Sequence, residues 1–253
     1  PLVRGEKVRG ELADDDVWVV AEGDAAYPER LREGLGSDAP PLLFMQGEPD
    51  ILARRTVAVV GSRSPSRAGE RAATRFAARM AEAGWTIVSG GARGIDTAGH
   101  HGALGNGATA VVPPRGILEF RWRNPARRRA DGGEWCKVGQ FPPGSGWKTK
   151  YALMRNHTIV ALSEATLAVE PRDRGGTWRS SRATLGAGKP LLVMNGSGET
   201  SKKRGAEALC RSGAQLVSCQ APPGPEELER IVQNTPDSEE PRQQPLFRRD
   251  EAN

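Results

Sequence analysis

Apolar residues fall along this chain in two rhythms. Short unbroken runs, mostly β-branched, appear at Val57-Ala58-Val59-Val60, Trp85-Thr86-Ile87-Val88, Ala108-Thr109-Ala110-Val111-Val112, Thr166-Leu167-Ala168-Val169 and Pro190-Leu191-Leu192-Val193-Met194. Runs of this length between turn residues predict strands buried on both faces. Between them the spacing becomes helical. Ala72, Ala73, Phe76, Ala77 and Met80, with arginines interleaved, predict an amphipathic helix from about Ser66 to Ala83, ended by Gly84. Further helices are expected over 95–104, 152–162, 202–212 and 225–232, and from a cap at Thr177 to Gly186 or Gly188. Residues 134–138 and 213–217 read as two more strands. Ahead of this alternation come strand-like segments at 17–20 and 42–47 and a short helix with Pro28 as its first residue.

Strands alternating with helices from 56 to 217 predict an α/β fold of Rossmann-like type: a mostly parallel sheet with helices on both faces. Residues 1–54 read as a small N-terminal extension packed on the main domain, 55–233 as the Rossmann-like domain, and 234–253, polar with three prolines, as a disordered tail. Crossovers in such a sheet are right-handed, so the carboxyl ends of its strands share one edge, where ligands bind. Three glycine turns fall there: Gly61-Ser62-Arg63, Ser89-Gly90-Gly91-Ala92 running on to Gly94, and Arg174-Gly175-Gly176-Thr177. A turn of this kind ahead of a helix offers backbone N–H groups to an anion, so the three together read as one composite phosphate-binding surface.

Charge sharpens that reading. The net charge is +5, but residues 221–253 carry −4, which leaves +9 on the first 220. Such a balance fits either a polyanionic partner or a solvated basic surface. The stretch from Arg115 to Ala130 holds six arginines, with Phe120 and Trp122, against Glu119 alone. It is either a solvated basic loop or an extension of the track by charge and base stacking. No apolar run approaches 18 residues and Pro1–Glu6 has no signal-peptide core, so a cytoplasmic protein without a membrane span is expected. The chain does not begin with Met, and residues ahead of Pro1 are expected. Cys136, Cys210 and Cys219 are odd in number and lack CxxC spacing, which argues against a disulfide framework or a zinc site.

Enzyme signatures are missing. Gly61 and Gly69 lack the spacing of a dinucleotide fingerprint, and there is no Walker A motif or GxSxG elbow. No cofactor is expected. Ser62, Ser89, Asp96, His100, His101, His157 and Glu170 are the residue types a hydrolase would use. Asp96 and His100, at i and i+4, share a helix face, and the simpler reading is a helix cap and a packed imidazole. Arg155-Asn156-His157 reads as the opening of a helix, either as a polar first turn or with Arg155 aimed at the phosphate edge.

These residues, in this order, resemble the DprA/Smf family of DNA-processing proteins. The resemblance runs from Tyr27-Pro28 and Pro41-Leu42-Leu43-Phe44 through Val57–Arg63, Val88–Ala92, Gly94-Ile95-Asp96 and His100. It continues through Pro142-Pro143-Gly144, Arg155-Asn156, Val169-Glu170 and Gly175-Gly176-Thr177 to Gly213-Ala214. It implies a non-enzymatic binder of single-stranded DNA that protects incoming strands and helps load RecA recombinase in natural transformation, usually as a homodimer. In the family the arginine of the first turn contacts DNA phosphate, which falls on Arg63. Ser89, Gly90, Gly91 and Ala92 line the pocket with Arg155 and Asn156, and a basic residue before the later helix falls on Lys148 or Lys150. The chain departs from the family at His157, where an arginine is usual, and at Gly139-Gln140 and Gly116–Glu119. The related LOG superfamily is the rival reading, as a nucleotide sensor or nucleotide-cleaving enzyme. Its hydrolases carry a Glu after the Gly-Gly-x-Gly-Thr turn, where this chain has Trp178-Arg179-Ser180.

Overall fold

A computed structural model describes residues 10, 12–122 and 133–235. Arg123, Arg127, Arg128 and Arg129 of the arginine-rich stretch, and most of the expected tail, lie outside the described residues. The strands are β1 (Trp18–Ala21), β2 (Leu42–Gly47), β3 (Thr56–Gly61), β4 (Thr86–Ser89), β5 (Ala108–Val111), β6 (Glu134–Gly139), β7 (Ala165–Val169), β8 (Leu191–Met194) and β9 (Gln215–Val217). They form a nine-stranded sheet in the order β1-β2-β6-β5-β4-β3-β7-β8-β9. From β6 to β9 every pairing is parallel, while β2 runs antiparallel to both β6 and β1. The N-terminal segment thus adds β1 and β2 to one edge of the main sheet.

The seven helices with site or core roles are α1 (Glu29–Leu35), α2 (Arg67–Glu82), α3 (Ile95–Ala103), α4 (Thr149–Leu162), α5 (Gly176–Gly186), α6 (Thr200–Arg211) and α7 (Pro225–Gln233). The two-residue period of β3 divides the core. Val57 and Val59 pack with Phe76 and Met80 of α2, Ile95 and Ala98 of α3 and Leu228 of α7. Ala58 and Val60 face the other way, toward Leu31 of α1, Ile159 and Leu162 of α4 and Leu209 of α6. Chain order reverses at the centre: β3, β4, β5 and β6 step one way, and β7, β8 and β9 step the other. The β3/β7 junction is thus the topological switch point, the usual ligand crevice of such sheets.

Three boundaries differ from the sequence expectation, each for a local reason. Pro28 is the N-cap of α1 rather than its first residue. Helix α4 begins at Thr149, so Arg155 lies in its second turn rather than at its opening. Helix α5 is capped by Gly175, whose φ of 96° suits glycine, and Thr177 is already inside the helix.

Helix α4 carries Arg155, and its carboxyl end is closed by a lysine. Lys189 Nζ donates to the carbonyls of Val160, Ala161 and Ser163 at 2.9, 3.0 and 2.7 Å. Lys189→Met removes this donor, with Val160 O keeping its bond from Ser163 N–H, and urea unfolding should show a loss of about 1–3 kcal/mol.

Candidate nucleic-acid interface

Backbone contacts join the first two glycine turns at the carboxyl edge. Ser62 N–H donates to Val169 O at 3.1 Å, which ties the β3 turn to the end of β7. Ile95 N–H donates to Ser62 O at 3.1 Å, which ties the same turn to the start of α3. Glycine makes these approaches possible. A Cβ on Gly61 would strike Val169 O, and Gly94, at φ 81°, has no room for one beside Ser62 O.

Two helix N-termini that could have held an anion already hold a carboxylate of the chain. At α2, Ser66 caps Gly69 N–H, and Ser66 N–H donates to both oxygens of Glu170 at 3.0 and 3.2 Å. At α3, Asp96 Oδ2 accepts from Ala92 N–H at 3.2 Å. The Ser66 and Gly69 amides at the start of α2, beside the switch point, are therefore already satisfied from within the chain. Helix α5 differs: no side chain caps it, its first turn has no acid, and Gly175 and Gly176 are exposed.

The open cleft lies to one side, over β4 and β5. It measures about 340 Å³. Arg63, Arg93, Arg115, Arg121 and Arg155 line it around the turn Gly90-Gly91-Ala92, with Glu119 the one acid on the lining. Among the described residues no carboxylate forms an ion pair with Arg63, Arg93, Arg115 or Arg121. Two loops make the outer wall and are stitched together: Gly116 N–H donates to Ser145 O at 2.7 Å and Leu118 N–H to Pro143 O at 3.1 Å. The second loop presents Trp147, which is 47% exposed. Phe141 stacks on Tyr151 of α4 at 3.9 Å and fastens that loop to the helix.

Arg155 forms the floor. It is buried, its Nε has no partner, and the Asp96 carboxylate is 4.0 Å from its Nη2. Burial lowers the Arg155 pKa, opposed by Asp96 and assisted by Arg63, and burial raises that of Asp96 against the pull of Arg155. A pair this loose does not offset its desolvation, so the floor favours an added anion. Gly90 is what admits the guanidinium, because a Cβ there would fall inside it. Gly91, at φ 68°, likewise yields to the Phe120 ring.

The sequence-predicted residues thus divide. Arg63, Gly90, Gly91, Ala92 and Arg155 converge on the cleft. Gly61 and Ser62 shape its edge, and Ser62 Oγ accepts from Ser64 N–H. Ser89 is fully buried and its hydroxyl donates to Val59 O at 2.6 Å, so it braces the strands. Asn156 Nδ2 donates to Gly176 O at 3.5 Å, linking α4 to the α5 turn, which does not line the cleft. Lys148 and Lys150 sit at the start of α4 with their ammonium groups 5.0 and 5.9 Å from the Tyr151 ring, away from the lining. Trp122, which the sequence leaves as either part of a solvated loop or a stacking ring, is packed edge-on against His100, Phe120 and Trp135. The open ring is Trp147, and Arg93 also went unmarked. The only sequence signal for Trp147 is a lone indole amid Gly, Ser and Lys.

Among the hydrolase-type residues, His100 has a structural role. His100 Nδ1 is 2.7 Å from Thr109 Oγ1, whose own proton goes to Ile87 O, so the imidazole donates from Nδ1. Burial first, and Arg155 second, push its pKa down to about 3.

Residues 18–222 match the sequence model of the family described as DNA recombination-mediator protein A. The chain belongs to this family. Among DprA/Smf relatives, it is 34% identical over 213 residues to protein Smf of Escherichia coli, spanning 82% of this chain and 54% of that one. It is 31% identical over 197 residues to the DNA processing protein DprA of Streptococcus pneumoniae, spanning 77% and 69%. A putative DNA processing protein DprA of Mycobacterium tuberculosis is 31% identical over 211 residues, and there too the chain spans about half the relative's length, 54%. The crystal structure of S. pneumoniae DprA superimposes with a TM-score of 0.72 at 30% identity, covering 84% of this chain and 76% of that one. DNA processing protein A of Helicobacter pylori, whose structure concerns its single-stranded DNA binding mode, has the same fold with a TM-score of 0.69 at 21% identity, covering 87% and 97%. The family's description names a recombination mediator.

For this DprA family member, the neutral buried His100 makes stability pH-dependent. Its folded pKa lies below the unfolded value, so below about pH 6.5 the unfolded chain takes up a proton that the native state refuses, and stability falls with pH. Between pH 6.5 and 5 the wild type should lose about 1.5 kcal/mol more than His100→Gln, read from denaturant midpoints at each pH.

Proposed function

We propose that this protein binds single-stranded DNA along the carboxyl edge of its sheet. The observation that carries the reading is the convergence of five arginines and one acid on the Gly90-Gly91-Ala92 turn. Arg63 and Arg155, with Arg93, Arg115 and Arg121, hold backbone phosphate, and Gly90 to Ala92 let the strand approach the backbone. Gly61 and Ser62 shape the turn that carries Arg63, and Ser89 braces it from below. Trp147, open to solvent on the rim, takes an unpaired base on its face, which a duplex does not offer. The uncapped start of α5, at Gly175, Gly176 and Thr177, receives a further phosphate beside Asn156. Lys148 or Lys150 attracts the strand where it leaves the loop wall. The H. pylori relative's single-stranded DNA binding supports the ligand class.

The family's description as a recombination mediator supports the cellular half of the proposal. There a cytoplasmic homodimer protects incoming or processed strands and hands them to RecA in natural transformation or recombination.

Fluorescence anisotropy with a labelled oligothymidine tests the cleft. Arg63→Ala should weaken binding about tenfold at low salt and flatten the plot of log affinity against log salt by about 0.7, one phosphate's share. Trp147→Ala should cost about 5- to 100-fold with an unchanged salt slope, since stacking releases no counterion. Wild-type affinity in Arg63→Ala would sink the site assignment. Incubation with nucleoside monophosphates should release no free base. Release would instead indicate a nucleotide-cleaving protein of LOG type.

A further inference from the structure

The most tightly tied side chains beside the proposed site do not line it. Glu170, directly after β7, is fully buried and held at φ 51°, a left-handed conformation that costs a glutamate energy. Its carboxylate accepts from Ser66 N–H, from the Ser66 hydroxyl and, at 2.7 Å, from Lys202 Nζ of α6. Gly69 leaves space for it, since a Cβ there would overlap Oε1. Lys202 is also buried, and its Nζ makes a second donation, to Ser64 O at 3.0 Å. The ion pair therefore grips the backbone at Ser64 and Ser66. On the other side of Arg63, Ser62 is gripped too: its N–H donates to Val169 O and its carbonyl accepts from Ile95 N–H. Arg63 is exposed, yet the chain is fastened on each side of it.

We propose that Glu170 and Lys202 are positioning residues that clamp the backbone around Arg63, so that its guanidinium meets a DNA phosphate without first ordering its loop. The proposal rests on the single-stranded DNA reading of the cleft. A buried ion pair gives little stability that apolar residues of the same size would not give, so stability alone does not account for it. A prearranged binding loop does, because ordering it on contact would subtract from affinity.

A double-mutant cycle tests the clamp. Lys202→Met alone leaves Glu170 buried without its cation, so the charge-free pair Glu170→Gln/Lys202→Met is measured beside it, each after its thermal midpoint confirms a folded protein. Binding of labelled oligothymidine is followed across salt in the wild-type and Arg63→Ala backgrounds. The clamp variants should bind about five- to tenfold more weakly than wild type and share the flattened salt slope of Arg63→Ala. Added to Arg63→Ala they should cost nothing more. Losses that add to that of Arg63→Ala, or wild-type affinity in the charge-free pair, would overturn the clamp while leaving the cleft reading intact. An Arg63→Ala protein that binds like wild type would overturn the cleft reading and the clamp with it.

Discussion

One buried carboxylate governs where this sheet can accept a ligand. Doubly wound sheets bind at the crevice where strand order reverses, commonly with an anion on a helix N-terminus. Here that place, between β3 and β7, is taken by Glu170, whose oxygens satisfy the Ser66 amide and hydroxyl at the start of α2. An N-terminus that already holds a carboxylate gains nothing from a phosphate. The available surface moves sideways, over β4 and β5, where the donors are arginine side chains and the glycine turn Gly90-Gly91-Ala92.

The same logic repeats at α3 with a different outcome. Asp96 takes the Ala92 amide but stands 4.0 Å from Arg155, too far to neutralise it fully. A buried guanidinium with an unpartnered Nε and loose compensation is expensive on its own and cheap once an anion arrives. Glu170 is paired at 2.7 Å, Asp96 is not, and the cleft opens on the side of the weaker pairing. The tight pair thus lies beside the first turn, and uncompensated positive charge is left on the cleft.

Rigid walls complete the arrangement. The loops at 113–121 and 141–148 have little regular structure, yet their mutual hydrogen bonds and the Phe141–Tyr151 stack hold them as one unit. That unit displays Trp147, while Trp122 packs edge-on against His100, Trp135 and Phe120, the last a buried ring at the edge of the cleft. Which aromatic ring stays open to solvent is therefore decided by what each ring packs against, not by how close it lies to arginines in the chain.

Sequence alone determined the alternation of strands and helices, the parallel sheet, the family resemblance, and Arg63 and the Gly90-Gly91-Ala92 turn as parts of one edge. The resemblance rests on whole motifs in order, and the rest follows from local rules: two-residue and helical periodicity, glycine's tolerance of positive φ, and the right-handed crossover. Tertiary structure decided the rest. That Ser89 braces strands, that Arg155 is a buried floor in the second turn of α4, and that Lys148 and Lys150 stand off the lining depend on side-chain direction and on partners far away in the chain. Glu170 illustrates the division best. Its motif is visible in the sequence, but its role depends on Ser66, 104 residues earlier, and Lys202, 32 residues later, and no periodicity encodes a contact between a strand end, a helix start and a third element.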